Sequence, residues 1–235
     1  MINNESVLAV VTARGGSKRL PDKNILKLNG KPLIAWSISS GIESRVVDKV
    51  VVSTDSKKLA EIGQQYGAEV PFMRPHELAS DTAQSVDVIL HVLDTLEDVG
   101  EKYKYLLLLQ PTSPMRTARH IEAAFELLVE KNASAVVSVC ELEHPIEWTN
   151  TLPDDLSMDK FLAADFSNKR SQDFSTRYRL NGAIYVIETE LLRKQRSFLP
   201  TSGCYAYVMD RVSSVDIDCL EDFQYVEFLM NNREK

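Results

Sequence analysis

Cysteine and histidine are scarce in this chain, and long apolar runs are absent. Three cysteines in 235 residues, Cys140, Cys204 and Cys219, are odd in number and far apart. They offer neither a disulfide framework nor metal-ligand spacing, which fits a reduced, cytoplasmic protein. The four histidines, His76, His91, His120 and His144, are equally scattered. With no GxSxG elbow and no Cys/His constellation, covalent hydrolysis has no nucleophile to build on. No apolar stretch approaches the ~20 residues needed to cross a bilayer. The opening MINNESVLAVVTA has neither a basic lead-in nor an apolar segment long enough for a signal peptide. Neither a membrane partner nor export is expected. Basic residues are outnumbered, 27 against 34 acidic, for a net charge of −7. A general nucleic-acid binder would carry the opposite balance, so no nucleic-acid partner is expected. An anionic ligand remains possible, provided that positive charge is gathered locally.

What is present is a strand–helix alternation. VLAVVTA (7–13) is a continuous apolar run of the kind buried on both sheet faces. Pro32 opens a helix with an apolar stripe through Leu33, Trp36, Ile38 and Ile42, and DKVVVSTD (48–55) follows as a second strand. A helix from Ser56 stops at Gly67, AEVPFMR is expected to carry a third strand, and 84–97 forms a helix. A strand at 104–110, a helix at 118–131 and a strand at 134–140 continue the pattern. NGAIYVI, CYAYVMD and SVDID resume it, and a helix from Leu220 closes the chain. The expected fold is α/β, a mainly parallel sheet with helices on both faces. Residues 141–180 break the rhythm: they are polar, carry Pro145 and Pro153, and show no period. A structureless stretch of that length is unusual inside a compact domain. The expected organisation is an α/β domain from 1–140 and 181–235, with 141–180 as a lid, arm or oligomerisation element.

Positive charge gathers in one place. Between Arg14 and Lys27 stand five cations, Arg14, Lys18, Arg19, Lys23 and Lys27, against the single acid Asp22. This loop follows the first strand, at the carboxyl end where open α/β sheets bind ligands. Gly15 and Gly16 let backbone N–H groups approach an anion, and Ser17 adds a hydroxyl. It is neither a Walker A loop nor GxGxxG, and its alternative is a solvated turn. In an acidic protein the cluster favours a polyphosphate site. Near the other end, SVDID places Asp216 and Asp218 two apart. On a strand both would face one way, about 7 Å apart. Two hard carboxylates suit Mg²⁺ shared with substrate phosphates, although Asp218 could instead cap the final helix.

Lesser candidates flank these. LQPTSPMR (109–116) offers Gln110 as donor and acceptor at another strand end, and Arg116 adds charge to a loop stiffened by Pro111 and Pro114. Asp55 is expected to cap the helix after it. Arg74, Ser80, Asp81 and Ser85 form a polar set suited to reading a base edge or to capping the next helix. Asn181-Gly182 is a turn signal first and a ligand contact second. His144 reads as a surface residue.

The strings ARGGSKRLPDKN, VVVSTDS, RPHELASDT, LLQPTSPMR, NGAIY and SVDID, in this order, closely resemble the CMP–nonulosonic acid synthetases. These are the N-acylneuraminate cytidylyltransferases and their legionaminic and pseudaminic acid relatives. The resemblance spans essentially the whole chain. It implies a Rossmann-like fold of the nucleotidyltransferase type and a homodimer in which 141–180 is the exchanged arm. It implies CTP and an acidic nine-carbon sugar as substrates, Mg²⁺ as cofactor, and CMP-sugar and pyrophosphate as products. By the same resemblance, Arg14, Ser17, Lys18, Lys23 and Asn24 match the CTP motif, and Arg74 and Ser85 lie near the cytidine. Gln110 contacts the sugar, Tyr185 lies in its pocket, and Asp216 and Asp218 are the metal pair. Arg170 looks like the arginine that the arm lends to the neighbouring subunit's sugar carboxylate. Two departures fall on the sugar side. Glu147 stands where sialic acid synthetases can carry lysine, and Phe198 is followed by Leu199 where they can carry two aromatics. The resemblance therefore names an activity and leaves the sugar open.

Two rival readings accompany it. A glycosyltransferase could use Asp216 and Asp218 as a D-x-D metal site. Such enzymes usually carry that motif in mid-chain and lack the basic loop after the first strand. A non-catalytic nucleotide-binding module would leave the aspartate pair unexplained.

Overall fold

A computed structural model describes residues 5–166 and 169–233. Its six-stranded sheet runs in the order β4-β1-β5-β7-β6-β8. The strands are β1 (Val7–Thr12), β4 (Lys49–Ser53), β5 (Tyr105–Leu109), β6 (Ala135–Glu141), β7 (Tyr178–Glu188) and β8 (Cys204–Met209). A small hairpin, β2 (Lys27–Leu28) with β3 (Lys31–Pro32), stands apart. The helices are α1 (Leu33–Glu43), α2 (Lys57–Gln65), α3 (Ser85–Asp98), α4 (Ala118–Glu130), α5 (Thr189–Gln195) and α6 (Leu220–Arg233).

Strand alternation sorts the core into two layers. Val7, Ala9 and Val11 of β1 pack on one face with Ile34 and Ile38 of α1 and Phe125 of α4. Leu8 and Val10 pack on the other with Ile89 and Leu93 of α3. Both sets are fully buried, as the unbroken apolar run predicts. A third cluster, Leu28, Leu33, Met115, Ile217 and Phe223, ties α6 to the hairpin. At full burial, each of these side chains contributes about 1.5–3 kcal/mol.

The sheet is mixed. β1 pairs in parallel with β4 and β5, and β6 with β8, while β7 runs antiparallel to both its neighbours. Three local expectations need correction. AEVPFMR contributes only one bridge, Glu69 to Val51, because Pro71 has no N–H for a ladder. Asn181-Gly182 is not a turn but lies inside β7, where Gly182 has φ +75° and the register with β6 slips between Val137 and Val139. That slip sets four residues of β7, 181–184, against Ser138 alone, a bulge-like irregularity in which Asn181 is locked by Ser138 Oγ at 2.5 Å and Ser214 Oγ at 2.9 Å. SVDID is not a strand either: a 3-10 turn at Val212–Ser214 precedes an extended segment. Among the described residues between Glu141 and Tyr178, regular structure is limited to three short 3-10 turns. There Phe174 packs edge-on against Trp148 and Phe166.

Candidate active site

The loop after β1 is pinned by its neighbours. Asp55 does not cap α2; Ser56 does, accepting from Leu59 N–H. Asp55 Oδ1 instead accepts the Gly15 amide at 2.9 Å. That amide is therefore spent on the loop's own anchorage and is not free for an anion, and a Cβ on Gly15 would lie 3.2 Å from Ser56 Cβ. Buried Asn24 closes the other side by donating to Arg14 C=O at 3.3 Å.

Ile217, fully buried, anchors the aspartate segment, and its N–H donates to Thr112 C=O at 2.8 Å. Asp216 and Asp218 flank it, and both are only partly buried. The Asp218 carboxylate does not cap α6. It accepts from Arg19 Nη1 at 2.6 Å and Lys23 Nζ at 3.4 Å, and Lys23 also reaches Ile217 C=O at 2.7 Å. The start of α6 is held by Asp222, whose Oδ2 accepts the amides of Asp218 and Cys219, each at 2.9 Å. Burial pushes the Asp216 carboxyl up from its ordinary range; a Thr112 hydrogen bond opposes this and the nearby Asp218 charge adds to it. Asp216 Oδ1 is buried with no hydrogen-bond partner. An orphaned anionic oxygen beside a second carboxylate is the donor chemistry a hard divalent cation requires. Among the described residues no group of three or more His, Cys, Asp and Glu gathers. A cation here would rest on two carboxylates and substrate oxygens.

Loop and aspartate thus line one cavity of about 440 Å³, with Thr12, Arg14, Ser17, Lys18, Lys23, Asn24, Gln110 and Asp218 in its wall. A second, of about 290 Å³, shares Thr12 and Arg14 and adds Arg74, Ser80, Asp81 and Ser85. Arg74 is buried, donating to Ser53 Oγ at 3.1 Å and to Ser53 C=O. Burial pulls its guanidinium down to about 10, with Asp55 opposing and Arg14 adding to the shift. Asp81 sits at the seam of the two cavities, paired with Arg14 at 2.6 Å and with Lys18.

The remaining candidates divide. Tyr185 packs against Phe198 with ring centroids 5.6 Å apart. Burial, then the Asp216 charge, raises its phenol, which puts it close to the metal-type pair although it does not line either cavity. Gly16 is open, with nothing within 4 Å of a Cβ there. Arg170 is exposed, pairs with Asp173 at 3.6 Å, and lines neither cavity of its own chain. Arg116, which the sequence presents as loop charge, is instead fully buried in the core. Glu147 is tied to Arg177 at 2.5 Å, and Leu199 is exposed.

For two residues singled out in the sequence, the partner is legible only in the fold. Arg19 stands among the loop cations in sequence, and the fold gives it Asp218 as partner. Asp81 belongs to a polar stretch suited to reading a base edge or capping a helix, and only the fold pairs it with Arg14 and Lys18.

The chain matches the family model for cytidylyltransferases over residues 8–233. It is 40% identical to an N-acylneuraminate cytidylyltransferase of Streptococcus agalactiae over 93% of its own length and 52% of that protein's. It is 36% identical to a CMP-N,N'-diacetyllegionaminic acid synthase of Legionella pneumophila, over 95% of this chain and 96% of that one. The chain spans about half the length of the N-acylneuraminate cytidylyltransferases it matches. Among solved structures, a CMP:2-keto-3-deoxy-manno-octonic acid synthetase complexed with CTP shares the fold, with TM-score 0.71 at 18% identity over 97% of this chain and 99% of that one. With the family model covering nearly every residue, this chain belongs to the cytidylyltransferase family.

Proposed function

We propose that this protein transfers the cytidylyl group of CTP to an acidic nine-carbon sugar of the nonulosonic type, releasing pyrophosphate. The observation that carries this reading is the 440 Å³ cavity walled by Arg14, Lys18 and Lys23 on one side and Asp218 on another. Relatives named for N-acylneuraminate and for N,N'-diacetyllegionaminic acid support the choice of sugar class.

In this reading the sugar's anomeric hydroxyl oxygen attacks the α-phosphorus of CTP. The bond from that phosphorus to the β-phosphate oxygen breaks, and the hydroxyl proton leaves to solvent. Arg14, Lys18 and Lys23 neutralise the triphosphate and hold the departing pyrophosphate, with Ser17 and Asn24 shaping the loop. Such preorganised charge is commonly the largest contribution to catalysis of this kind. Arg74 and Ser85, in the adjoining cavity, face the cytidine. Gln110, Tyr185 and Phe198 form the sugar side. Asp216 and Asp218 would hold Mg²⁺, which when bound polarises the α-phosphate and eases loss of the hydroxyl proton. The chain works as a cytoplasmic homodimer, consistent with its three free cysteines. Segment 141–180 is the exchanged arm, and Arg170 acts on the partner's sugar carboxylate, as its exposure in a single chain allows.

The test is label transfer from [α-³²P]CTP to a panel of nonulosonic acids in Mg²⁺ buffer. Label in a CMP-sugar with at least one acid is expected; labelled CMP alone, or intact CTP, with every acid would refute the reading.

A further inference from the structure

Among the described residues, Arg116 is the largest fully buried side chain, and no carboxylate pairs with it. A guanidinium without a counter-ion is costly to bury, so its hydrogen bonds need a purpose. All are to neutral oxygens on three separate elements. Nε donates to Ala183 C=O of β7 at 3.0 Å, and Nη1 to Ser40 Oγ of α1. Nη2 donates to Ser37 Oγ of α1 at 2.6 Å and to Gln110 C=O, at the end of β5, at 3.3 Å. Ser37 Oγ in turn donates to the same Gln110 carbonyl at 3.0 Å. The Gln110 carbonyl is therefore clamped by three donors, these two side chains and the Ser113 N–H at 3.3 Å. Its side chain is fitted as closely: a Cβ on Gly182, next to Ala183, would lie 2.8 Å from Gln110 Oε1.

We infer that Arg116, with Ser37, is a positioning residue that fixes the Gln110 amide in the wall of the catalytic cavity and so sets affinity for the acceptor sugar rather than for CTP. Only a planar fork reaches three elements at once, which a lysine cannot reproduce. The loop proposed to bind CTP is held independently, by Asp55, Asn24 and Asp81, none of which touches this network. Burial draws the Arg116 guanidinium down to about 9, so it stays charged near neutral pH.

The inference rests on the proposed cytidylyl transfer, and steady-state kinetics on Arg116→Lys, Ser37→Ala and Gln110→Ala, singly and combined, separate the two. Arg116→Lys is expected to raise KM for the acceptor sugar about tenfold, with KM for CTP within about twofold. Ser37→Ala leaves the guanidinium in place and should give a smaller rise of about threefold, which covers the case in which Arg116→Lys fails to fold. In the Gln110→Ala background neither change should raise the sugar KM further, because the group they position is gone. A further rise in that background, or an equal rise in both KM values, would overturn the assignment, as would unchanged sugar KM in Ser37→Ala. Absence of wild-type turnover with every acid would overturn the proposed function and this inference with it.

Discussion

Arg19 and Asp218 lie 199 positions apart in sequence and meet at 2.6 Å. That contact, with Lys23 donating to the same carboxylate and to Ile217 C=O, closes a cationic loop near one end of the chain onto an aspartate segment near the other. A phosphate chain in the cavity that they line would meet the loop cations and Asp218, while Asp216 stands outside the cavity wall.

Asp218→Ala removes one member of the aspartate pair from a half-exposed position. Turnover with CTP should fall by ~10²-fold or more, the scale of losing one preorganised electrostatic group. The pair it breaks with Arg19 is largely solvent-facing, so stability should change by no more than about 1 kcal/mol. Near wild-type turnover at saturating Mg²⁺ would remove Asp218 from the chemistry.

Asp81 holds Arg14 and Lys18, the cations that the triphosphate would otherwise engage. Those hydrogen bonds, Lys18 first and then Arg14, keep its carboxyl below the usual range. Asp81→Asn should tighten CTP binding several-fold at low ionic strength, and the gain should fade as salt screens the competing charges. Weaker binding, measured by calorimetry, would mean that Asp81 contacts the nucleotide itself.

Burial raises the Asp216 carboxyl, so the folded chain takes up a proton there more readily than the unfolded one. Between the unfolded value, about 3.9, and the raised folded value, the folded state binds more protons, and its stability falls as pH rises through that window. Asp216→Asn has no such loss. In EDTA without CTP, its melting temperature should match the wild type's below the window and exceed it at neutral pH, while activity is lost. A lower melting temperature at neutral pH would contradict the cause assigned to the shift.

Gly182 combines φ +75° with a close approach to Gln110 Oε1. Gly182→Ala should cost about 1–3 kcal/mol in denaturant unfolding, and displace the Gln110 amide. A neutral effect on both stability and sugar KM would show that the bulge tolerates a side chain.

Much of this architecture was readable from pattern. β1, β4 and β5 announce themselves as apolar runs because both sheet faces are covered, and α2 to α4 follow their apolar stripes. What sequence could not convey is which partner a polar residue finds in space. Asp55 and Ser56 are adjacent candidates for one cap, and only the fold assigns the cap to Ser56 and Asp55 to Gly15. Asn-Gly spells a turn locally, yet Ser138 and Ser214, from distant segments, lock it at a register slip inside β7. Arg116 read as loop charge because burial of an arginine among serines and carbonyls leaves no local trace. The pairing of Asp81 with Arg14 and Lys18 is likewise purely tertiary.

The central claim is spatial, and a crystal structure with CTP and Mg²⁺ tests it most directly. The account predicts one triphosphate with Lys18 and Lys23 on its β- and γ-phosphate oxygens, and a metal ion on Asp216 and Asp218 against the α-phosphate. Nucleotide bound away from the 440 Å³ cavity, or a metal ion held without either aspartate, would contradict it.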